Sequence, residues 1–281
     1  HLLCFIALCL FFTPGKAQQL SVMTLRNGAT VYIWEDKSKP DVFGMIAFKV
    51  GSVDDPEQYT GLAHYLEHVM FKGTQTIDAL DWEKEKPIYE KIIAKYDERA
   101  ALSDPAAREA IDKEINDLTR EAAQYAAGNE FSLLVDHMGG QGLNASTGYD
   151  QTEYHNSFPP SQLEKWLEIY SERLIDPVFR GFQTELEAVY EEYNMYNDDR
   201  GSRMREFIYE QAFGDHPYAR PIIGLPEHLK NPQLSKLIDF YNTWYGPQNM
   251  SIILVGNIDA KEAIPMIRDK FERVPRRAEI H

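Results

Sequence analysis

The chain of 281 residues is 43% hydrophobic and 26% charged, a balance that is ordinary for a globular protein with a large core. This composition excludes fibrous and intrinsically disordered proteins. The formal net charge of −15 argues against a nucleic-acid binder, because recognition of phosphates requires a basic surface. The charge favours solubility, and the alternative is electrostatic steering of cationic peptides.

The chain begins with an apolar run over residues 2–12, which is too short to span a bilayer because a membrane helix needs about 20 residues. A proline, a glycine and a small alanine follow within residues 13–17, as at the end of a secretory signal peptide. We therefore predict a truncated signal peptide over residues 1–17, no stable membrane span, and export to a periplasm or to the extracellular space. Both cysteines, Cys4 and Cys9, lie in the apolar run, so the mature chain needs no disulfide.

Three strands are expected near the start of the mature chain. Short apolar stretches at residues 22–25 and 30–34 flank Asn27-Gly28, which is a strong signal for a β-hairpin. A third strand is predicted over residues 42–50, which are nearly continuous in apolar side chains.

Residues 61–130 follow a helical period instead. From Gly61 onward, one apolar stripe predicts a short helix. The stripe consists of Leu62, Tyr65, Leu66, Val69 and Met70. Residues 80–130 are rich in Glu, Lys and Ala, and apolar faces on either side of the helix-start signal at residues 103–105 predict a charged helical hairpin. We interpret this hairpin as an insertion on the surface of the domain.

The second half of the chain is predicted to contain both strands and helices. Residues 143–157 alternate as an edge strand does, residues 162–174 and 183–197 predict amphipathic helices, and residues 251–255 predict a late buried strand. Strands followed by helices and a late strand favour an α+β fold, with a mostly antiparallel sheet and helices packed on one face. We predict one domain over residues 20–275.

Two histidines and a glutamate lie close together on the first predicted helix. His64 and His68 are four residues apart, so their side chains project from one face and can share one Zn²⁺. Glu67 flanks the same face and can act as a general base toward a water molecule that the metal activates. A single histidine would more often be structural, whereas this combination within five residues favours a metal site. The motif is the inverted form of the zinc-peptidase pentapeptide.

A catalytic zinc site needs a third protein ligand. The other histidines of the mature chain form no pair at ligand spacing, so the acidic helix predicted over residues 183–197 is the better source. Glu185 and Glu192 are two turns apart and share a face, so that one can bind the metal while the other orients a ligand. Glu187 and Glu191 are expected to be solvated, but physical reasoning alone does not choose among the four.

The stretch GLAHYLEHVMFKGT at residues 61–74 resembles the active-site helix of the pitrilysin (M16) family of zinc metallopeptidases, which includes insulin-degrading enzyme and the mitochondrial processing peptidase. The resemblance continues at residues 139–147, 185–192 and 216–224 and covers nearly the whole mature chain. It implies a zinc-dependent endopeptidase that hydrolyses peptides or small unfolded proteins. It also implies an antiparallel sheet covered by helices.

The resemblance further implies roles for individual residues. Glu192 is expected to be the third ligand of one Zn²⁺ per chain, and Glu185 is expected to orient a ligand without binding the metal itself. Asn144 is expected to bind the main chain of a peptide substrate, and Ala145 begins an edge strand that the substrate extends. The alternative for Asn144 is a residue that caps a turn.

Two features depart from the family pattern. His68 and Glu192 are 124 positions apart (192 − 68 = 124), which is longer than usual, and the hairpin of residues 80–130 accounts for the excess without disturbing the site. Family enzymes also pair this domain with a second, similar one. We expect this second M16-like domain to lie outside the present sequence, either in a longer chain or in another subunit.

The sequence also has two alternative interpretations. A non-catalytic scaffold or processing partner subunit of the same fold usually lacks part of the zinc motif, and the motif is intact here. A structural zinc site needs four protein ligands, and no fourth candidate stands out near the three. Both alternatives are therefore less favoured than the enzyme.

Overall fold

The computed structural model describes residues 19–277, so the predicted signal peptide at residues 1–17 lies outside the described residues. The strands are β1 (Gln19–Thr24), β2 (Thr30–Glu35), β3 (Val42–Phe48), β4 (Gln141–Thr147), β5 (Thr152–Phe158) and β6 (Met250–Gly256). The α-helices are α1 (Leu62–Val69), α2 (Trp82–Ala101), α3 (Pro105–Ala122), α4 (Glu130–His137), α5 (Leu163–Ile175), α6 (Phe182–Asp198), α7 (Arg200–Phe213), α8 (Pro226–Leu229), α9 (Leu234–Trp244) and α10 (Ala260–Phe271). α4 has no counterpart among the helices predicted from the sequence.

The strands form one sheet in the order β1-β2-β6-β3-β5-β4. All neighbouring pairs are antiparallel except β2 and β6, which are parallel. A parallel pair needs a long connection, and β6 meets this requirement because it enters between β2 and β3 after most of the helices. The sheet is therefore mixed, and the predicted α+β fold with a mostly antiparallel sheet is confirmed.

The sheet has one buried face and one open face. In β3, β5 and β6 every second residue is buried, which is the period expected for strands covered on one side. α5 packs closely on the buried face, since a Cβ at Gly44 would lie 2.5 Å from the Trp166 ring. Asn156 accepts hydrogen bonds from the Trp166 indole (2.8 Å) and the Tyr170 hydroxyl (2.7 Å). Helices thus pack on one face, as predicted.

α2 and α3 form the predicted helical hairpin. The Asp104 side chain accepts hydrogen bonds from the backbone N–H groups of Ala106 and Ala107, and Pro105 occupies the first turn of α3, as the sequence indicated. The buried residues of the hairpin include Ile88, Ile92, Tyr96, Ile111 and Ile115. Within residues 19–277, no helix combines the length and the apolar character of a membrane span.

Candidate metal centre

α1 carries the two predicted histidines and is almost entirely enclosed by the core. Leu66 and Val69 are buried, and His64 itself is only 9% exposed. The helix starts after Gly61, whose backbone has a left-handed φ of 89°, and a Cβ there would meet the carbonyl oxygen of Ile223 at 2.5 Å. Packing therefore determines where this helix lies.

Asp55 holds the N-terminal end of α1. Its carboxylate accepts hydrogen bonds from the backbone N–H groups of Gly61 (2.7 Å) and Ala63 (2.9 Å), which a helix start leaves without partners in the helix. Burial raises the pKa of Asp55 to about 7, although these hydrogen bonds and the nearby Arg220 oppose the shift. Asp55 could not be identified from the sequence, because an aspartate six residues before a helix start carries no local signal of this contact.

α6 brings Glu192 to the two histidines. One carboxylate oxygen of Glu192 lies 3.6 Å from Nε2 of His64 and 3.5 Å from Nε2 of His68. One potential ligand atom from each residue lies within 4.8 Å of the others, and no second group of this kind occurs in the described part of the chain. The structure thus brings together the three predicted ligands from distant segments.

The donor atoms fit a tetrahedral metal ion. Two ligands at roughly 2.0–2.1 Å from Zn²⁺ in a tetrahedron are about 3.4 Å apart, which is close to the two observed distances to Glu192. Burial and the neighbouring His68 lower the pKa of His64, so its ring is neutral, as a metal ligand must be. Three protein ligands leave a fourth position open, as catalytic zinc sites do.

Glu185 lies behind His68. Its carboxylate is 3.6 Å from Nδ1 of His68 and 2.5 Å from the ammonium group of Lys72. Burial alone would lower the pKa of His68, but Glu185 and Glu192 together raise it to about 9. Burial alone would raise the pKa of Glu185, but its contacts with His68 and Lys72 lower it. Glu185 is therefore placed to orient the His68 ring through the nitrogen that does not face Glu192.

Glu67 lies on α1 between the histidines. Its carboxylate accepts a hydrogen bond of 2.8 Å from the hydroxyl of Thr147, the last residue of β4. Burial raises the pKa of Glu67, and the hydrogen bond from Thr147 partly offsets this rise. A carboxylate with a raised pKa beside a metal site has the proton affinity that a general base requires.

The three candidate metal ligands and Glu67 line a cleft of about 410 Å³. One wall of the cleft is β4, which is an edge strand of the sheet, and Asn144 and Ala145 line the cleft from this strand. Asn144 pairs with His155 in the β4–β5 register, so it lies within a strand and not in a turn. An edge strand has unpaired backbone groups, to which an extended peptide can hydrogen-bond.

Tyr149, Tyr196 and Arg205 also line the cleft, and sequence reasoning identified none of them. Hydrogen bonding to His68, with a smaller contribution from Tyr196, lowers the pKa of Glu192. Tyr196 follows Glu192 by one helical turn, and this spacing is the signal that could have identified it.

The four glutamates of α6 differ in position. Glu185 and Glu192 contact the histidines, whereas Glu187 and Glu191 are exposed. The two exposed residues line a separate concavity of about 460 Å³ between α6 and the helical hairpin. The expectation that they are solvated agrees with this position.

Residues 30–86 and 118–225 match the family model described as Insulinase (Peptidase family M16). The chain belongs to peptidase family M16. A second model, described as Peptidase M16 inactive domain, matches residues 233–281, which include β6 and α10. The first match leaves out residues 87–117, which lie within the helical hairpin. The M16 membership expected from the sequence is confirmed.

M16 relatives of similar sequence are named as zinc proteases. The probable zinc protease PqqL of Escherichia coli (strain K12) is 25% identical over 270 residues, which are 92% of this chain and 23% of PqqL. The zinc protease PqqE of Helicobacter pylori (strain ATCC 700392 / 26695) is 24% identical over 254 residues, which are 89% of this chain and 46% of PqqE. The chain thus spans about a quarter to a half of the length of these relatives.

Several solved protease structures share the fold. The first half of the periplasmic protease PqqL from Escherichia coli has a TM-score of 0.69 and 25% identity, and the match covers 93% of this chain and 48% of that chain. A protease from Helicobacter pylori has a TM-score of 0.72 and 22% identity, with coverage of 94% and 52%. Pitrilysin has a TM-score of 0.68 and 23% identity, with coverage of 94% and 24%.

Proposed function

We propose that this chain is the catalytic domain of a zinc-dependent endopeptidase that hydrolyses peptides or small unfolded proteins. The observation that supports this function most is the convergence of His64, His68 and Glu192 in a cleft, with Glu67 beside them. The three converging side chains would hold one Zn²⁺ per chain. The names of the relatives, which are zinc proteases, agree with this chemistry.

The proposed mechanism assigns a separate task to each side chain. When bound, Zn²⁺ supplies a Lewis acid that polarises the scissile carbonyl group and lowers the pKa of a water molecule. Glu67 takes a proton from the attacking water and later passes it to the amine leaving group. Thr147 holds the Glu67 carboxylate through its hydrogen bond, and Glu185 fixes the orientation of the His68 ring.

Substrate binding is proposed to use the β4 edge. A peptide that extends the sheet would hydrogen-bond to the backbone of this strand, with Asn144 and Ala145 in contact with its main chain. Recognition of the backbone accepts many side-chain sequences, so this mode supports a broad peptide substrate class.

We also propose export and a second domain for the complete protein. The related protease PqqL is described as periplasmic, which supports export to a periplasm or beyond. The length of the relatives and the match to the M16 inactive-domain model support a second M16-like domain, in the same chain or in another subunit.

The test is the variant Glu67→Gln in the full-length protein. We expect it to retain one zinc ion per chain and to lose peptide cleavage by roughly 10²- to 10⁴-fold, because only the proton acceptor is removed. Zinc is measured by elemental analysis and cleavage with an internally quenched peptide. The matched control is Glu187→Gln, which alters an exposed glutamate outside the cleft and should change neither quantity.

The same measurements separate the enzyme from a scaffold of the same fold. A scaffold would bind no stoichiometric zinc, and Glu67→Gln would then change nothing. If the variant keeps both its zinc and wild-type cleavage, the role of Glu67 is wrong. A structural zinc site is disfavoured because, among the described residues, no fourth ligand joins the group of three.

A further inference from the structure

The open face of the sheet carries an exposed apolar patch on β1 and β2. Leu20 is 51% exposed, Val22 55%, Tyr32 36% and Trp34 38%. The strand register pairs Leu20 with Trp34 and Val22 with Tyr32, so the four side chains form one continuous surface. Single exposed apolar residues are normal on a protein surface, but a contiguous group of large ones marks an interaction site.

The patch continues across the next two strands. Ile253 and Val255 of β6 adjoin the β2 residues in the parallel register, and Met45 and Phe43 of β3 adjoin those of β6. All four are partly buried, and their side chains lie on the same open face because they pair with residues of the patch. Apolar side chains therefore cover this face over four neighbouring strands.

The rows of side chains that run across the strands on this open face become polar at the other end of the sheet. Met45 pairs with His155 of β5, which pairs with Asn144 of β4, and in the next row Glu153 pairs with Ser146. Asn144 and Ser146 line the cleft. A sheet face that remains in water normally carries polar residues, and only this half of the open face follows that pattern.

We propose that the apolar half of the open face, on β1, β2, β6 and β3, is the docking surface for the second M16-like domain, and that the polar half on β5 and β4 stays open beside the cleft. The relatives supply the argument for this occupant, because they are two to four times as long as the matched region. An interface between two domains buries about 600–1,500 Å². An exposed apolar patch of several large side chains marks an interaction site of this kind. The proposal rests on the proposed function in two respects, since that function includes the second domain and since peptide binding requires an accessible β4.

Cysteine labelling of the full-length protein tests this division. Residues 19–281 contain no cysteine, so a thiol introduced here reports on its own position, and the unsubstituted protein gives the background. We expect Val22→Cys to react with a maleimide at least about tenfold more slowly than Ser146→Cys, because a docked interface opens only transiently. Both rates are normalised to those of the denatured protein. Both positions are exposed on the same sheet face, so they form a matched pair.

The intrinsic fluorescence of Trp34 provides a second measurement without a new thiol. If the patch is covered, iodide does not reach Trp34. It should then remove the same absolute fluorescence intensity from the native protein and from Trp34→Phe. Equal labelling at positions 22 and 146, or strong quenching of Trp34, would overturn the proposal.

Protection can also arise from a second copy of this chain. Slow labelling that becomes fast on dilution, with light scattering that shows two copies per particle, would assign the surface to that copy and overturn the proposal. Labelling rates do not depend on catalysis, whereas zinc content and peptide cleavage test the proposed function. Failure of the docking proposal is therefore distinguishable from failure of the proposed function.

Discussion

The two helices that form the candidate metal centre are held by the fold in different ways. In α1 most residues are buried, including one of the two histidines. In α6 the buried residues are Phe182, Leu186 and Val189, all of which precede Glu192. The core therefore positions the histidines, whereas the carboxylate extends from a half-exposed part of its helix. This difference suggests that the site combines a rigid pair of donors with a third donor whose position depends more on the metal.

The largest expected effect comes from removing the carboxylate. Glu192→Ala should weaken zinc binding by more than about 100-fold, since loss of a ligand exceeds the 10–100-fold cost of losing a residue that only orients one. The free energy of unfolding of the metal-free protein should fall by no more than about 1–2 kcal/mol, because the side chain is not packed in the core and loses only its contacts with the two histidines. Isothermal titration and urea unfolding measure these two quantities.

The control for this experiment is Glu191→Ala, which removes the adjacent but exposed carboxylate. It should change neither quantity. Unchanged zinc affinity in Glu192→Ala would show that the carboxylate does not belong to the site. A large loss of stability without metal would instead break the contrast between α1 and α6.

The glycines that precede the two helices provide a direct test of the same contrast. Gly61 and Gly181 both have left-handed backbones, with φ of 89° and 61°. A Cβ at Gly61 would lie 2.5 Å from a backbone oxygen, whereas a Cβ at Gly181 would meet nothing within 4 Å. We expect Gly61→Ala to destabilise the protein by about 3 kcal/mol or more.

Gly181→Ala is the matched control, and it should cost only about 1–2 kcal/mol for the left-handed backbone. The free energy of unfolding in urea measures both. Equal losses would mean that α1 is no more tightly packed than α6, contrary to the comparison.

The sequence identified the parts of the site that are local and left open those that depend on tertiary structure. His64, Glu67 and His68 lie within one short helix, so their spacing alone places them on one face. Glu192 required the family resemblance, because four glutamates of its helix satisfy the same local pattern. The Asp55 contacts were not predictable, since they depend on how separate segments pack. The parallel pairing of β2 and β6 was not predictable for the same reason.

The pH dependence of zinc binding should reflect the two different histidines. The His64 ring is neutral in the core, whereas the carboxylates of α6 raise the pKa of His68 to about 9. Below pH 9, zinc must therefore displace the proton of His68. We expect the affinity to rise about tenfold per pH unit between pH 6 and 8, with about one proton released per zinc.

Titration calorimetry in buffers of different ionisation enthalpy measures the number of protons released. Glu185→Gln should lower the pKa of His68 and reduce proton release at pH 7.5, because it removes one of the two carboxylates beside the ring. Affinity that is independent of pH over this range would contradict the assignment of a cationic His68.

The smallest expected effect concerns Glu67, whose backbone belongs to α1 but whose hydrogen-bond partner belongs to β4. The base must be ionised to accept a proton, so kcat/KM should rise with pH through the pKa of Glu67. The hydrogen bond from Thr147 favours the ionised form, and Thr147→Val should therefore move this acid limb to higher pH. A hydrogen bond to a charged group contributes about 1.5 kcal/mol, which corresponds to roughly one pH unit.

The control for this prediction is Ser146→Ala, because the Ser146 hydroxyl donates to Glu153 and not to Glu67. It should leave the acid limb in place, even if it alters KM through the cleft. At pH values above the limb, Thr147→Val should reach nearly the wild-type rate, since the carboxylate is then ionised in both proteins. An unshifted limb would mean that packing of α1 alone determines the properties of the base. A shift would show that the sheet edge proposed to bind the substrate also adjusts the group that takes up the proton.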